Sequence, residues 1–186
     1  MKIACLGWGS LIWDPRSLPI RGSWYEDGPV LPIEFARESG GKRITLVIVD
    51  VAIQVRSLWA LMSIRTLQEA KNELAEREGI SKGNIKHSIG SWNSASENIH
   101  GKCSTEIGAW ATNLHLDAVV WTNLKYGFRQ ARDKMPEYDE ILSHIASLGH
   151  EQRQVVEEYV RRTPRQVDTE FRRNLQRDLG WDPVGS

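Results

Sequence analysis

Cysteine is almost missing from this chain. Cys5 and Cys103 are the only two in 186 residues, too few for the disulfide framework of a small secreted domain. An excess of charge of either sign is also missing. The 24 Lys and Arg balance the 24 Asp and Glu, so the formal net charge is zero. That argues against a nucleic-acid partner, because such binders carry a basic excess or stripe. The basic runs "RRTPRQ" and "FRRNLQR" near the C-terminus read as solvated helix faces. Arg161, Arg162, Arg165, Arg172 and Arg173 keep a weaker nucleic-acid reading open. No apolar run approaches the ~18 residues of a membrane span. The N-terminus lacks a signal peptide's long apolar stretch and small-residue cleavage site. The expectation is a soluble cytoplasmic protein with no membrane partner. His100 and Cys103 are three apart, but no second pair at metal-ligand spacing accompanies them, so no metal is expected. No repeat, low-complexity linker or domain boundary interrupts the chain, so residues 1–186 read as one domain.

Tryptophan, by contrast, is plentiful, with eight in the chain. Several are expected to wall a pocket, although a single tryptophan is more often core. The run "KIACL" is short, apolar and ends at glycine, as a buried strand does. "PIEFAR" (32–37), "KRITLVIVD" (42–50) and "VRSLWALMS" (55–63) read as further strands, with turn signals at "DGP" (27–29) and "SGGK" (39–42). "LDAVVWTNL" (116–124) reads as a central strand. A helix is expected over 64–78, with Ser63 as N-cap and Gly79 beyond its end. A second spans 104–113, after a polar Ser/Asn-rich stretch from about 81 to 106. Three more are expected near 137–147, 150–162 and 167–178, with Pro164 separating the last two. Within 150–162, Val155, Val156, Tyr159 and Val160 are spaced to pack on the sheet.

The stretch "GWGSLIWDP" follows the first strand directly. Gly7 and Gly9 let the backbone turn tightly and approach a ligand, and Ser10 adds a hydroxyl to the backbone N–H donors. Ile12 stands where a dinucleotide fingerprint needs glycine. The G-x-S-x-G elbow of serine hydrolases fails on both sides of Ser10. What remains is a cradle for a small anionic or carbonyl-bearing ligand.

One glutamate in the 64–78 helix points the wrong way. With Leu67 at zero and about 100° per residue, Leu74 falls near 340° and Ala70 near 300°. Glu69, Glu73 and Glu76 fall on the solvent side, whereas Glu78 falls near 20°, within the apolar face. A carboxylate there is costly unless paired or protonated. Burial and the negative helix end would both raise its pKa, as an acid–base catalyst near neutrality requires. Alternatively, Glu78 lies past the helix end or pairs with Arg77 or Arg65. Geometry alone favours this second reading.

Three segments resemble the γ-glutamylcyclotransferase-like superfamily. "GWGSLIWDP" is similar to that family's first loop, with Trp8 in the usual tyrosine place. "ARESGGKR" looks like the segment after the family's second strand, where a serine and a basic residue recur, here Ser39 and Arg43. "LAEREGI" looks like the segment that holds the catalytic glutamate, here Glu78. The resemblance covers roughly residues 1–80, and more loosely the strand at 117–122. It implies an α+β fold with a small mixed or antiparallel, barrel-like sheet and flanking helices. The core would be 1–125, with a helical extension, 126–186, packed on it. It implies conversion of a γ-glutamyl amine or peptide to 5-oxoproline and a free amine, with no cofactor. Glu78 would be the general acid and base. Gly7, Trp8, Gly9, Ser10, Leu11, Ser39 and Arg43 would bind substrate. A non-catalytic ligand- or protein-binding module on the same fold is the alternative, and the C-terminal helices leave a homodimer open.

Overall fold

The computed structural model describes residues 1–95 and 99–184, so part of the polar stretch expected at 81–106 lies outside the described residues. In chain order the strands are β1 (Ile3–Gly7), β2 (Ile20–Tyr25), β3 (Val30–Glu38), β4 (Ile44–Ile48), β5 (Gln54–Arg56), β6 (Leu58–Met62), β7 (Ile89–Asn93) and β8 (Ala118–Thr122). The helices are α1 (Leu67–Arg77), α2 (Ile85–Ser88), α3 (Ser104–Asn113), α4 (Tyr138–Ala146), α5 (His150–Arg162) and α6 (Glu170–Leu179). The fold is α+β, with one mixed sheet ordered β2-β6-β1-β8-β7 and a second ordered β4-β3-β5. Among the described residues neither sheet closes into a barrel, which corrects the barrel-like expectation. No helix of the described residues is long and apolar enough to cross a membrane.

The chain forms two compact units. The first comprises Met1–Gly7, Asp14–Leu31 and Arg56–Leu124. Its inner strands are the apolar runs. β1 lies parallel to β8 and antiparallel to β6, so Cys5 faces Val120 on one side and Ala60 on the other. Such strands are buried on both faces and need continuous apolar sequence. The edges are β2 and β7. β2 is largely exposed and bulged between Arg21 and Tyr25, with Gly22 at φ 79°. β7 is buried except at Asn93, and both α1 and α3 pack against it. Gly108 allows the α3 contact, because a Cβ there would stand 2.5 Å from Trp92 Nε1.

The sequence 55–63 forms two strands instead of the single one expected, and they belong to different sheets. The break is at Ser57, which is fully buried. Its backbone N–H and its hydroxyl both donate to the Pro29 carbonyl, at 3.1 and 2.7 Å. A Cβ at Gly28 would sit 2.5 Å from the Ser57 carbonyl oxygen, so only glycine admits this approach.

Helix α1 starts three residues later than expected. Thr66 is its N-cap, not Ser63. The Thr66 hydroxyl accepts from Glu69 N–H at 3.2 Å, and the Glu69 carboxylate accepts from Thr66 N–H at 3.1 Å. This reciprocal box outcompetes an isolated serine cap. The helix ends as expected at Gly79, where φ is 67° and Ile80 N–H donates back to Ala75 at 2.8 Å.

The second unit comprises Trp8–Trp13, Pro32–Val55 and Lys125–Ser186. Here β3 pairs antiparallel with β4, Phe35 opposite Leu46. Glu34 of β3 is buried among apolar strand residues, at 2 % exposure. Its carboxylate accepts from the Thr169 hydroxyl at 2.5 Å and from Phe171 N–H at 3.1 Å. Thr169 is the N-cap of α6, so a strand carboxylate supports the positive end of that helix. Arg172, also buried, donates to the carbonyls of Thr163, Pro164 and Val167 and closes the turn between α5 and α6.

Candidate functional site

Within the second unit the glycine loop is held by its large side chains. Trp8 is buried and donates its indole N–H to the Leu46 carbonyl of β4 at 3.4 Å. Leu11 is buried too, and Ile12 N–H closes a turn onto the Gly9 carbonyl at 3.0 Å. Trp8 and Leu11 therefore contribute their backbone to the loop surface and their side chains to the core. Ser10 is half-buried at the turn.

Gly9 faces Tyr159 of α5. A Cβ at Gly9 would overlap the Tyr159 hydroxyl and lie 3.1 Å from Cζ. Three more groups meet on the same ring. Trp13 meets it edge-on at 5.5 Å and Phe35 at 6.1 Å between centroids. The Arg43 guanidinium lies 4.7 Å from its centroid, a cation–π distance. Arg43 Nε is buried and has no hydrogen-bond partner among the described residues. Ser39 has a different role from Arg43. Its hydroxyl donates to the Arg43 carbonyl at 3.0 Å, and its backbone N–H donates there at 2.8 Å. It closes a turn in which Gly41 and Lys42 have φ of 71° and 62°.

Within the first unit, Gly7 ends β1 opposite Leu58. Glu78 is the C-cap of α1. Its side chain is 20 % exposed and accepts from Arg77 Nη1 at 2.7 Å. Arg77 is in turn tied to the Asp14 carbonyl by Nε at 3.2 Å and Nη2 at 2.6 Å. The glutamate is thus at the helix end and paired, as the alternative reading held, yet it is not out in bulk solvent. Its charge reaches the first strand. Burial pushes the Cys5 thiol far above its ordinary range, Glu78 adds to that rise, and Arg77 opposes it.

The expected residues therefore fall into two sets. Trp8, Gly9, Ser10, Leu11, Ser39 and Arg43 belong to the second unit, and Gly7 and Glu78 to the first. One residue that matters here carries no chemical signal in the sequence: Tyr159 reads as one member of an apolar stripe. Arg77, one of the two arginines expected as a partner of Glu78, is the one that pairs with it. Among the described residues no group of three or more His, Cys, Asp or Glu could hold a metal ion. Several C-terminal arginines are occupied within their own unit: Arg161 pairs with Glu157, Arg162 with Glu158 and Arg173 with Asp168. No family model, no curated protein and no solved structure matches the chain.

Proposed function

We propose that the protein is a γ-glutamylcyclotransferase-like enzyme, of that superfamily's fold type, which releases 5-oxoproline from a γ-glutamyl amine or peptide. In this reaction the substrate's α-amine nitrogen attacks its own γ-carbonyl carbon. A ring C–N bond forms, the original amide C–N bond breaks, and the amine's proton ends on the leaving nitrogen. Glu78 takes that proton and returns it. The backbone N–H groups of Gly9, Ser10 and Leu11 meet the developing oxyanion. Arg43 is the cation for the substrate's α-carboxylate, and Ser39 holds the turn that carries it. Folding the glutamyl chain so that amine and carbonyl touch supplies much of the rate.

The observation that carries this reading is the setting of Glu78. It is a partly buried carboxylate, oriented by a buried arginine, at the end of a helix that packs against β1. That strand opens at its end into the glycine loop. The Arg77–Glu78 ion pair also favours the second reading, a binding module without turnover, because a carboxylate engaged by an arginine is less available as a base. A panel of γ-glutamyl amines, γ-glutamyl dipeptides and glutathione, assayed for 5-oxoproline, separates the two. Turnover that falls at least about a hundredfold in Glu78→Gln, the order expected for loss of a general base, supports the enzyme. Turnover unchanged in Glu78→Gln refutes the role of Glu78. Saturable binding of a panel member with no 5-oxoproline formed supports the module.

A further inference from the structure

Outside these residues, the first unit carries a groove of about 920 Å³ between α1 and the segment that returns from Gly79 through α2. The turn at Gly79 sends the chain back along one stripe of α1. The floor of the groove is apolar, formed by buried Ala75 with half-buried Ile80 and Ile85. Three lysines line it: Lys71 on α1, Lys82 on the returning segment and Lys86 on α2. Glu76 is the acidic residue of the lining, so the groove is locally positive in a chain of zero net charge. Among the described residues none of these lysines forms an ion pair. The arginines of α5 differ, since Arg161 and Arg162 are each matched by a glutamate one turn earlier.

We infer that this groove binds an acidic peptide segment of a protein partner, with aliphatic side chains on the Ala75, Ile80 and Ile85 floor and carboxylates on the lysines. Three features favour that occupant. The floor is aliphatic and the lining holds no aromatic ring, so a nucleobase would find no stacking surface. The cations are all lysines on flexible stems, which suit dispersed carboxylates better than the fixed fork geometry at which arginine excels. Gln68 donates its side-chain amide to Asn72 Oδ1 at 3.0 Å on the same stripe, which leaves the Gln68 oxygen and the Asn72 amide to meet an extended backbone.

The test is fluorescence anisotropy of a fluorescein-labelled synthetic peptide of alternating glutamate and leucine, at about 0.15 M salt, where exposed charges act only at short range. The full chain is expected to bind this peptide saturably and the matching lysine–leucine peptide at least about tenfold more weakly. The Lys82→Glu/Lys86→Glu double variant, both residues being exposed, should lose at least about tenfold in affinity with an unchanged unfolding midpoint. Ile85→Asn should weaken binding while leaving the charges in place. Absence of saturable binding overturns the inference. So does a double variant that binds like the parent protein, or equal competition by tripolyphosphate or a single-stranded oligonucleotide. None of these readouts depends on turnover at Glu78.

Discussion

Replacing Glu34 should destabilise the second unit through the start of α6. In Glu34→Ala, the Phe35 and Phe171 N–H groups and the Thr169 hydroxyl each lose an acceptor at a site that is 2 % exposed. Each buried donor left unsatisfied costs about 1–3 kcal/mol. The vacated volume adds a further term that depends on how far the site collapses. Against this stands the relief of no longer holding a carboxylate out of water, so the net loss should be about 3 kcal/mol. Glu34→Gln keeps one acceptor but turns an amide donor toward another donor, and should cost about 1–3 kcal/mol. Urea unfolding followed by tryptophan fluorescence, with hydrogen exchange across residues 170–179, gives both the size and the place of the effect. The pH dependence gives a second, independent reading. Burial raises the Glu34 pKa, and its hydrogen bonds to Thr169, Phe35 and Phe171 only partly offset this. Between the ordinary glutamate value, about 4.3, and that raised value, the folded chain holds a proton the unfolded chain has released. The Glu34 contribution to stability should therefore fall as pH rises through that window and level off above it. Glu34→Gln should abolish this slope. A loss below about 0.5 kcal/mol in Glu34→Ala, or an identical pH profile in Glu34→Gln, would refute the account of a buried carboxylate capping α6.

Two other perturbations test the loop and the arginine. Gly9→Ala should destabilise by about 1–3 kcal/mol, because its methyl overlaps the Tyr159 hydroxyl. Adding Tyr159→Phe should recover part of that loss, and strictly additive unfolding energies in the double-mutant cycle would show that the two do not touch. Arg77→Met should cost about 2–4 kcal/mol by stranding the Asp14 carbonyl and leaving Glu78 unpaired. Thermal melts would show it, and a midpoint within experimental error of the parent would contradict the role given to Arg77.

Continuous apolar sequence is enough to mark a strand that is buried whatever its partners, which is why β1, β4 and β8 were legible from composition. The helix at 150–162 was equally legible, since the 3.6-residue spacing of Val156, Tyr159 and Val160 is a local property. Gly79 as the stop of α1 belongs with it. Partners decided the rest. β2 and β7, with sequences "IRGSWY" and "IGSWN", have their strand formers interrupted by Gly and Ser, and are fixed as strands by pairing with β6 and β8. The split at Ser57 depends on its contact with Gly28 and Pro29, which lie far away in sequence. Gly79 places Glu78 at a helix end, and Arg77 and Arg65 are both offered as its partner; the choice of Arg77 belongs to the fold, because Arg77 is held in position by the Asp14 carbonyl. Tyr159 facing Gly9 and Arg43, and Glu34 beneath α6, are contacts across more than a hundred residues. Local patterns fix which residues prefer to be inside. Which polar group meets which partner there is a property of the folded chain alone.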